Sequence, residues 1–307
     1  MIRDPVVQTA FGPPALGLRL HTLTKSVTGL EGTNDMPTID SSQGTIHYEQ
    51  VGEGPDIVWV SGGGGLAEDW DPYQLPYFKD DFRNTTFDNR GIGTTECTAP
   101  LPWTMADFAR DTAELIRAVC EPPVAIVGLS LGGAIVQQVA IDYPELISVA
   151  IPMGTGAWSV EWGWDYQMAE VEFHKAGGKL EGMMALTHYA AMAYPARVLG
   201  DRVLWPKLRE ELLPFFETPS YNDTVISQWE PCALYDQRDQ LPDCQVPMHV
   251  LAFNEDVQAP PQDGLEVVEL AGNGEYHLFD GMGHCSIYGH TQDILNPYIK
   301  ELIERYL

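Results

Sequence analysis

The sequence predicts an α/β fold in which a mostly parallel central sheet carries helices on both faces. Short apolar runs alternate along the 307 residues with longer segments whose apolar residues recur at helical spacing. Parallel strands need long connections, so this alternation is typical of helices that cross over a single sheet. A chain of this length can also bury a large core.

The predicted strands are short and rich in valine, leucine and isoleucine. They lie at residues 57–60, 124–127, 247–253 and 276–279. Helical spacing indicates one helix directly after residue 130 and another over residues 294–306. A further helix is predicted to begin at Thr104, because Thr104 followed by Asp107 resembles a capping box. All three helices are expected to pack on the sheet.

The chain divides into three parts. Residues 1–36 contain prolines and glycines with little periodicity and form an N-terminal extension. This extension is expected to wrap the core, to join a contact between subunits of a homo-oligomer, or to be a surface arm without a function. Residues 37–154 and 245–307 form the α/β core. Residues 155–244 do not follow the strand-helix alternation and are predicted to be a helical insertion late in the sheet.

A serine between glycines marks the junction of a predicted strand and the helix that follows it. The sequence around Ser130 is Val-Gly-Leu-Ser-Leu-Gly-Gly. A G-x-S-x-G turn requires glycines because the serine backbone is strained and a β-carbon at either glycine would collide across the turn. The strand before the turn and the helix after it favour a nucleophile over a turn with no chemical role.

A serine nucleophile needs a base that takes its proton and a carboxylate that orients the base. Asp256 follows the predicted strand at 247–253 and is the candidate acid. His284 follows the strand at 276–279, in a glycine-containing loop that could carry it back over Ser130.

Three neighbouring residues are weighed against these candidates. Glu255 is the alternative acid, and His290, which lies beyond the glycine-containing loop, is the alternative base. Cys285 lies beside the candidate base, but no catalytic role is predicted for it because a serine already occupies the turn.

Four blocks, taken in order, resemble the α/β-hydrolase family over residues 36–307. The first is a strand and glycine-rich loop at 57–65, and the second is the Asp-x-Arg-Gly-x-Gly turn that begins at Asp88. The third is the turn around Ser130, and the fourth is the candidate acid and base, which follow the serine in the family's order. The resemblance implies a hydrolase with a Ser-Asp-His triad and an inserted cap. Asp88 and Arg90 are expected to be structural.

The resemblance also implies an oxyanion hole. Carried over by position, its donors are the backbone N–H groups of Gly63 and of Leu131, the residue after the nucleophile. Gly62 and Gly64 in the same loop are expected to leave room for substrate. Many relatives have a histidine where this chain has Ser61. That side chain is usually structural, so its replacement leaves the amide donor in place.

In this family the inserted cap covers the nucleophile, and here it is rich in large side chains. Its tryptophans and several of its methionines are Trp158, Trp162, Trp164, Trp205, Trp229, Met168, Met183, Met184 and Met192. This composition predicts a hydrophobic substrate, with methionines making part of the lining adaptable. For each single side chain, packing inside the cap is the alternative.

These residues predict acyl transfer to water. Ser130 attacks a carbonyl carbon while His284 takes its proton, Asp256 holds the imidazole, and the two amides stabilise the oxyanion. The favoured substrate is a hydrophobic carboxylic ester or lactone. The resemblance implies an aspartate nucleophile for epoxide hydrolases and haloalkane dehalogenases, so the serine argues against both.

Other activities fit the same residues. A carbon–carbon bond hydrolase, an amidase or a cofactor-free perhydrolase would keep the triad and differ in the pocket. A ligand receptor on a hydrolase fold would hold its ligand without turnover. A scaffold that uses only its acidic surface is disfavoured, because it would not need the triad.

Composition excludes several classes of partner. The formal net charge of −27 argues against nucleic acid and anionic membranes, since both need clustered basic residues, and favours a neutral or weakly polar substrate. The five cysteines are an odd number without metal-ligand spacing, so no disulfide framework, metal site or cofactor is predicted. Neither a leader nor a membrane-spanning run is recognised, and a cytoplasmic location is the default expectation.

Overall fold

The computed structural model describes residues 37–217 and 223–307, so the predicted N-terminal extension lies outside the described residues. The strands are β1 (Thr38–Ser41), β2 (Gly44–Val51), β3 (Asp56–Val60), β4 (Arg83–Phe87), β5 (Glu96–Cys97), β6 (Val124–Leu129), β7 (Ile147–Met153), β8 (Met248–Phe253) and β9 (Gly274–Phe279). The helices are α1 (Leu75–Phe78), α2 (Met105–Val119), α3 (Leu131–Asp142), α4 (Glu161–Lys175), α5 (Gly182–Ala193), α6 (Ala196–Leu199), α7 (Leu204–Phe216), α8 (Asp223–Leu234), α9 (Pro261–Ala271) and α10 (Gln292–Glu304).

The described strands form one mixed sheet in the order β1-β2-β4-β3-β6-β7-β8-β9, with β5 beside β2. From β4 to β9 along this order every neighbouring pair is parallel. The pairs that β2 makes with β1, β4 and β5 are antiparallel. The predicted mostly parallel α/β sheet is confirmed.

Side chains of β6 alternate between the two faces of the sheet. Val124 and Ile126 belong to the core beneath α2, α3 and α9, whereas Ala125 and Val127 belong to the core beneath α1 and α10. A strand that is buried on both faces reads as a continuous apolar run, which explains why the sequence pattern identified it.

The antiparallel edge gave a weaker sequence signal. Strands β1 and β2 are largely half-exposed and carry polar residues, and β5 has only two residues. The sequence patterns therefore did not predict these strands. The predicted capping box at the start of α2 is confirmed, because the side chains of Thr104 and Asp107 each bond the other residue's backbone N–H.

The segment predicted as a cap contains helices α4 to α8, which lie between β7 and β8 in the chain. Helix α4 packs on α8, and α5 packs on α7. Because β7 and β8 are parallel neighbours, this insertion leaves the sheet at the edge where both strands end. Within the described residues, every helix is too short or too polar to cross a bilayer.

Candidate active site

Ser130 lies in the turn between β6 and α3 with a strained backbone. Its φ is 58° and its ψ is −121°, in a region that non-glycine residues rarely adopt. The turn is fixed from both sides, because the Ser130 N–H donates to the Met153 carbonyl at 2.9 Å and its carbonyl accepts from Ala134 N–H at 3.1 Å. Together these bonds hold Ser130 at the carboxyl end of β6.

The glycines around Ser130 are required by close backbone contacts. A β-carbon at Gly128 would lie 2.3 Å from the Gly132 carbonyl oxygen. At Gly132 it would lie 2.1 Å from the carbonyl oxygen of Val60, in the neighbouring strand β3. Both distances are far below van der Waals contact, as the sequence interpretation of the turn expected.

The predicted acid and base form a buried hydrogen-bonded pair. His284 Nδ1 lies 2.7 Å from Asp256 Oδ2, and both side chains are almost fully buried. The other carboxylate oxygen of Asp256 accepts from the backbone N–H groups of Gln258 and Ala259 at 2.8 and 2.9 Å. With Nδ1 donating to the carboxylate, Nε2 of His284 is left as a proton acceptor.

A glycine at the end of β7 makes room for this pair. A β-carbon at Gly154 would lie 3.3 Å from both Asp256 Oδ2 and His284 Nδ1. Ser130 and His284 line the same cavity. The structure therefore brings together the three residues predicted as a triad.

The alternative residues have other contacts. The Glu255 carboxylate lies 4.0 Å from Arg197, and His290 Nε2 lies 3.1 Å from the Ser286 hydroxyl. Cys285 is buried, and burial raises the pKa of its thiol to about 12, so a thiolate nucleophile is disfavoured.

The glycine-rich loop after β3 presents one unused amide to the cavity. Gly64 N–H donates to Gln228 Oε1 at 2.8 Å, and Gly65 N–H donates to the Gly62 carbonyl at 3.1 Å. Within the described chain no acceptor is bonded to the N–H of Gly63 or of Leu131, and both residues line the cavity. These are the two amides predicted as oxyanion donors.

Gly62 and Gly64 do not line the described cavity, and the expectation that they leave room for substrate stays a prediction. A β-carbon at Gly62 would lie 3.3 Å from the Leu129 carbonyl oxygen and 3.4 Å from Ser130 Cβ, so this residue packs against the nucleophile turn. The N–H of Gly64 is directed to Gln228 instead.

Ser61 has a structural role in the same loop. Its hydroxyl donates to the Leu66 carbonyl at 3.0 Å and accepts from Trp70 Nε1 at 2.8 Å. The side chain is fully buried. It therefore braces the loop without reaching the cavity.

Asp88 and Arg90 are structural, as the sequence favoured. The Arg90 guanidinium is fully buried and pairs with Asp111 at 2.7 Å. Asp88 accepts from the backbone N–H groups of Ala67 and Thr94 at 2.9 and 3.1 Å. Both side chains therefore form their hydrogen bonds with the turn that carries them and with the segments that pack on this turn.

The cavity beside Ser130 has a volume of about 110 Å³ and a mixed lining. Its aromatic members are Trp158, Tyr166, Trp229 and Tyr235. Its longer polar members are Gln167, Glu170, Gln258 and Asp263. The prediction of cap aromatics in the lining is therefore correct for two of the five tryptophans named from the sequence.

The methionine lining predicted from composition is wrong. None of Met168, Met183, Met184 and Met192 lines the described cavity. Met183 and Met184 lie on an exposed face of α5, with 47% and 64% of their surface accessible. The composition of a helix does not say which of its faces meets the cavity.

Two carboxylates give this cavity a negative character. Burial, together with the nearby charges of Glu266 and Asp256, raises the pKa of the Asp263 carboxyl to about 6. Glu170 accepts from the Tyr166 hydroxyl at 3.0 Å and lies 2.9 Å from His188 Nε2. Neither carboxylate was identified from the sequence, because neither belongs to a motif.

Among the described residues, one group of side chains has ligand atoms close enough together to hold a metal ion. It consists of His249, Glu275 and His277. The two imidazoles point at each other across a hydrogen bond of 3.0 Å, and their outer nitrogens bond the hydroxyls of Tyr306 and Tyr298. His249 lies at the opposite end of β8 from Asp256. The group is therefore remote from the cavity.

A parallel sheet that presents a serine on a strand-to-helix turn, beside a buried histidine and aspartate, is the architecture of α/β-type hydrolases. The sequence model that defines the alpha/beta hydrolase family matches residues 57–295, and this chain belongs to that family.

Similar proteins agree with this assignment. "Putative non-heme bromoperoxidase BpoC" of Mycobacterium tuberculosis is 29% identical over 262 residues, which are 83% of this chain and 96% of that protein. The 2-hydroxy-6-oxo-6-phenylhexa-2,4-dienoate hydrolase of Comamonas testosteroni is 27% identical over 259 residues, covering 80% of this chain and 86% of that protein. The solved structure of Rv0554 from Mycobacterium tuberculosis superposes with a TM-score of 0.79 at 26% identity, covering 86% and 94% of the two chains.

Proposed function

We propose that this hydrolase cleaves a carboxylic ester or lactone through an acyl-enzyme on Ser130. The observation that carries the proposal is the hydrogen bond of 2.7 Å between His284 and Asp256, beside the cavity that His284 shares with the strained serine. This arrangement is suited to nucleophilic catalysis because the carboxylate fixes the imidazole with Nε2 as the base.

The first half of the reaction forms the acyl-enzyme. Ser130 Oγ attacks the carbonyl carbon while His284 Nε2 takes the hydroxyl proton, and Asp256 stabilises the imidazolium. The negative charge on the former carbonyl oxygen is held by the N–H groups of Gly63 and Leu131. A donor of this kind contributes about 2.7–4 kcal/mol to transition-state stabilisation.

The first half is completed when the tetrahedral intermediate collapses to the acyl-enzyme and His284 gives its proton to the departing alkoxide. The second half releases the acid. Water then attacks the acyl carbon while His284 takes one of its protons, and breakage of the Ser130–acyl bond returns that proton to the serine oxygen. A lactone would give a hydroxy acid by the same steps.

The lining supports a substrate that is apolar in part and carries no negative charge. The indoles of Trp158 and Trp229 suit a hydrophobic group. Glu170 and Asp263 lie in the same lining, and no lysine or arginine accompanies them there among the described residues. A substrate carboxylate in this cavity would meet repulsion without a compensating cation.

This charge distribution disfavours carbon–carbon bond hydrolysis of an anionic substrate. The relative from Comamonas testosteroni is named for a dienoate, which is a carboxylate. The lining described for this chain offers no guanidinium or ammonium to hold such a group. A neutral ester or lactone fits the cavity better.

The similarity to a protein named as a bromoperoxidase favours one second candidate, perhydrolysis. Here hydrogen peroxide would replace water as the attacking group on the acyl-enzyme, and the product would be a peracid. Peracid formation from a simple acyl donor and hydrogen peroxide, measured against acid formation, distinguishes the two activities.

The function is tested with a panel of aryl esters and hydrophobic lactones. Wild type, Ser130→Ala and Ser159→Ala are compared, since Ser159 also lines the cavity and controls for the loss of a hydroxyl there. A serine-directed phosphonate followed by peptide mapping locates the nucleophile. We expect turnover and labelling in wild type and Ser159→Ala, and neither in Ser130→Ala.

A folded wild-type protein that neither hydrolyses the panel nor takes the label would contradict the proposal. That result would favour a ligand receptor on a hydrolase fold, and direct binding measurements would then replace the activity assay.

A further inference from the structure

Gln228 is a fully buried residue of α8 whose amide reaches two loops of the α/β core. Its Oε1 accepts from the backbone N–H of Gly64 at 2.8 Å. Its Nε2 donates to the backbone carbonyl of Arg90 at 2.8 Å. Both ends of the amide are therefore used, and the two partners fix which end faces which loop.

The Arg90 end of this bridge is rigid. The Arg90 guanidinium makes two bonds to Asp111, at 2.7 and 2.9 Å, and a third to the Asp107 carbonyl at 2.8 Å. The same guanidinium also lies over the aromatic rings of Trp103 and Phe108. Gln228 thus joins the glycine-rich loop to a well-anchored part of the core.

Other bonds hold the two ends of the glycine-rich loop, through Ser61 and through the N–H of Gly65, which donates to the Gly62 carbonyl at 3.1 Å. Four consecutive glycines carry no side chains that could pack, and glycine backbones lose the most conformational freedom on ordering. A β-carbon at Gly63 would lie 2.9 Å from Cδ1 of Trp229, so the next side chain of α8 covers the loop directly. Two consecutive cap residues therefore hold Gly63 and Gly64.

An oxyanion donor accelerates a reaction only when its N–H is aimed before the charge develops. Gln228 binds the N–H of Gly64 and so orients the peptide that follows Gly63, while the Gly63 N–H keeps no acceptor within the described chain. The geometry points to Gln228 as a positioning residue for the oxyanion hole, supplied by the cap. This inference rests on the proposed function.

The role predicts a specific kinetic signature. Replacing Gln228 with methionine keeps the volume but leaves the Gly64 N–H without its acceptor. The oxyanion forms only after attack, so kcat is expected to fall about 10- to 100-fold, below the full loss of a donor. KM is expected to stay within about threefold, since the ground-state carbonyl makes little use of the hole.

The experiment compares wild type with three variants on the best ester of the panel. Gln228→Met removes both bonds, and Gln228→Glu restores an oxygen acceptor for Gly64. Gln138→Met is the matched control, since Gln138 is a buried α3 glutamine that bonds Asp142 and Gln240 outside the cavity. Thermal melting of each variant reports on folding.

A second readout separates positioning from general damage. A trifluoromethyl ketone forms a tetrahedral adduct with an oxyanion, so its affinity should fall with kcat in Gln228→Met. We expect Gln228→Glu to recover part of both losses. We expect Gln138→Met to lose stability without losing either kcat or ketone affinity.

Two outcomes would overturn the inference. One is an unchanged kcat in folded Gln228→Met, and the other is equal losses of kcat in Gln228→Met and Gln138→Met. An inactive wild type that also fails to label on Ser130 would instead refute the proposed function. The two failures are therefore distinguishable.

Discussion

His284 Nδ1 and Asp256 Oδ2 are 2.7 Å apart in a site where each of the two residues is 4% exposed. Asp256 is held in turn by two backbone N–H groups. The acid therefore cannot turn away from the imidazole without breaking bonds that its own loop provides.

Asp256→Asn is expected to preserve the fold and to lower kcat by about 10³- to 10⁴-fold. An amide in this position accepts fewer bonds and favours the wrong imidazole tautomer. The measurement is steady-state kinetics on an aryl ester, with Glu255→Gln as the control because Glu255 is on the surface side of the same loop. Near-wild-type activity in Asp256→Asn, with a loss in Glu255→Gln, would move the acid to Glu255.

Gly132→Ala is expected to destabilise the protein by about 3 kcal/mol, because the new methyl group would lie 2.1 Å from the Val60 carbonyl oxygen. Chemical denaturation measures this loss. Gly163→Ala is the control, since a β-carbon there meets its nearest neighbours at 3.5 Å, an ordinary contact. Equal stability of the two variants would show that the turn around Ser130 is looser than described.

The nucleophile turn could be predicted from sequence because part of its requirement is local. The contact that excludes a β-carbon at Gly128 is with Gly132, within one strand, one turn and one helix, so the residue types themselves carry the signal. The contact that excludes a β-carbon at Gly132 is with Val60 of the neighbouring strand β3, and this part of the requirement is not local. Asp256 and His284 were found for a related reason, since each follows an apolar strand whose end lies at the same edge of the sheet.

Residues that act across the contact between the inserted helices α4 to α8 and the sheet could not be found in this way. Gln228 and Gly64 are 164 positions apart, and no pattern around either residue predicts their contact. Likewise, Asp263 lies in the first turn of α9, where an acidic residue is ordinary for a helix. Its place in the cavity follows from packing, because a β-carbon at Gly156 would lie 2.8 Å from Asp263 Cβ.

Asp263→Asn is expected to change selectivity by charge. Removing a negative charge from the lining should raise kcat/KM for an ester with a carboxylate in its acyl group by about three- to tenfold, and lower it for the matched ammonium ester. The neutral isostere is the reference substrate. Equal effects on all three substrates would show that Asp263 does not act through its charge.

The free energy of unfolding is expected to decrease as the pH drops below 6.5, because of the neighbouring imidazoles of His249 and His277. Burial lowers the pKa of His249 and of His277 to about 4 in the folded chain, while unfolded histidines have a pKa of about 6.5. Between these values the unfolded chain binds more protons, so stability that is present above about pH 6.5 is lost as the pH falls toward 4. We expect a loss of about 1–2 kcal/mol per histidine between pH 7.5 and pH 5.

Urea denaturation at the two pH values measures this loss, with His277→Gln as the comparison. The variant removes the His277 imidazole, which is hydrogen-bonded to His249 at 3.0 Å, and so removes one titrating group. Its free energy of unfolding should therefore depend less steeply on pH than that of the wild type, even if it is lower at pH 7.5. An unchanged pH dependence in the variant would show that other groups, such as the half-buried His290, cause the acid sensitivity.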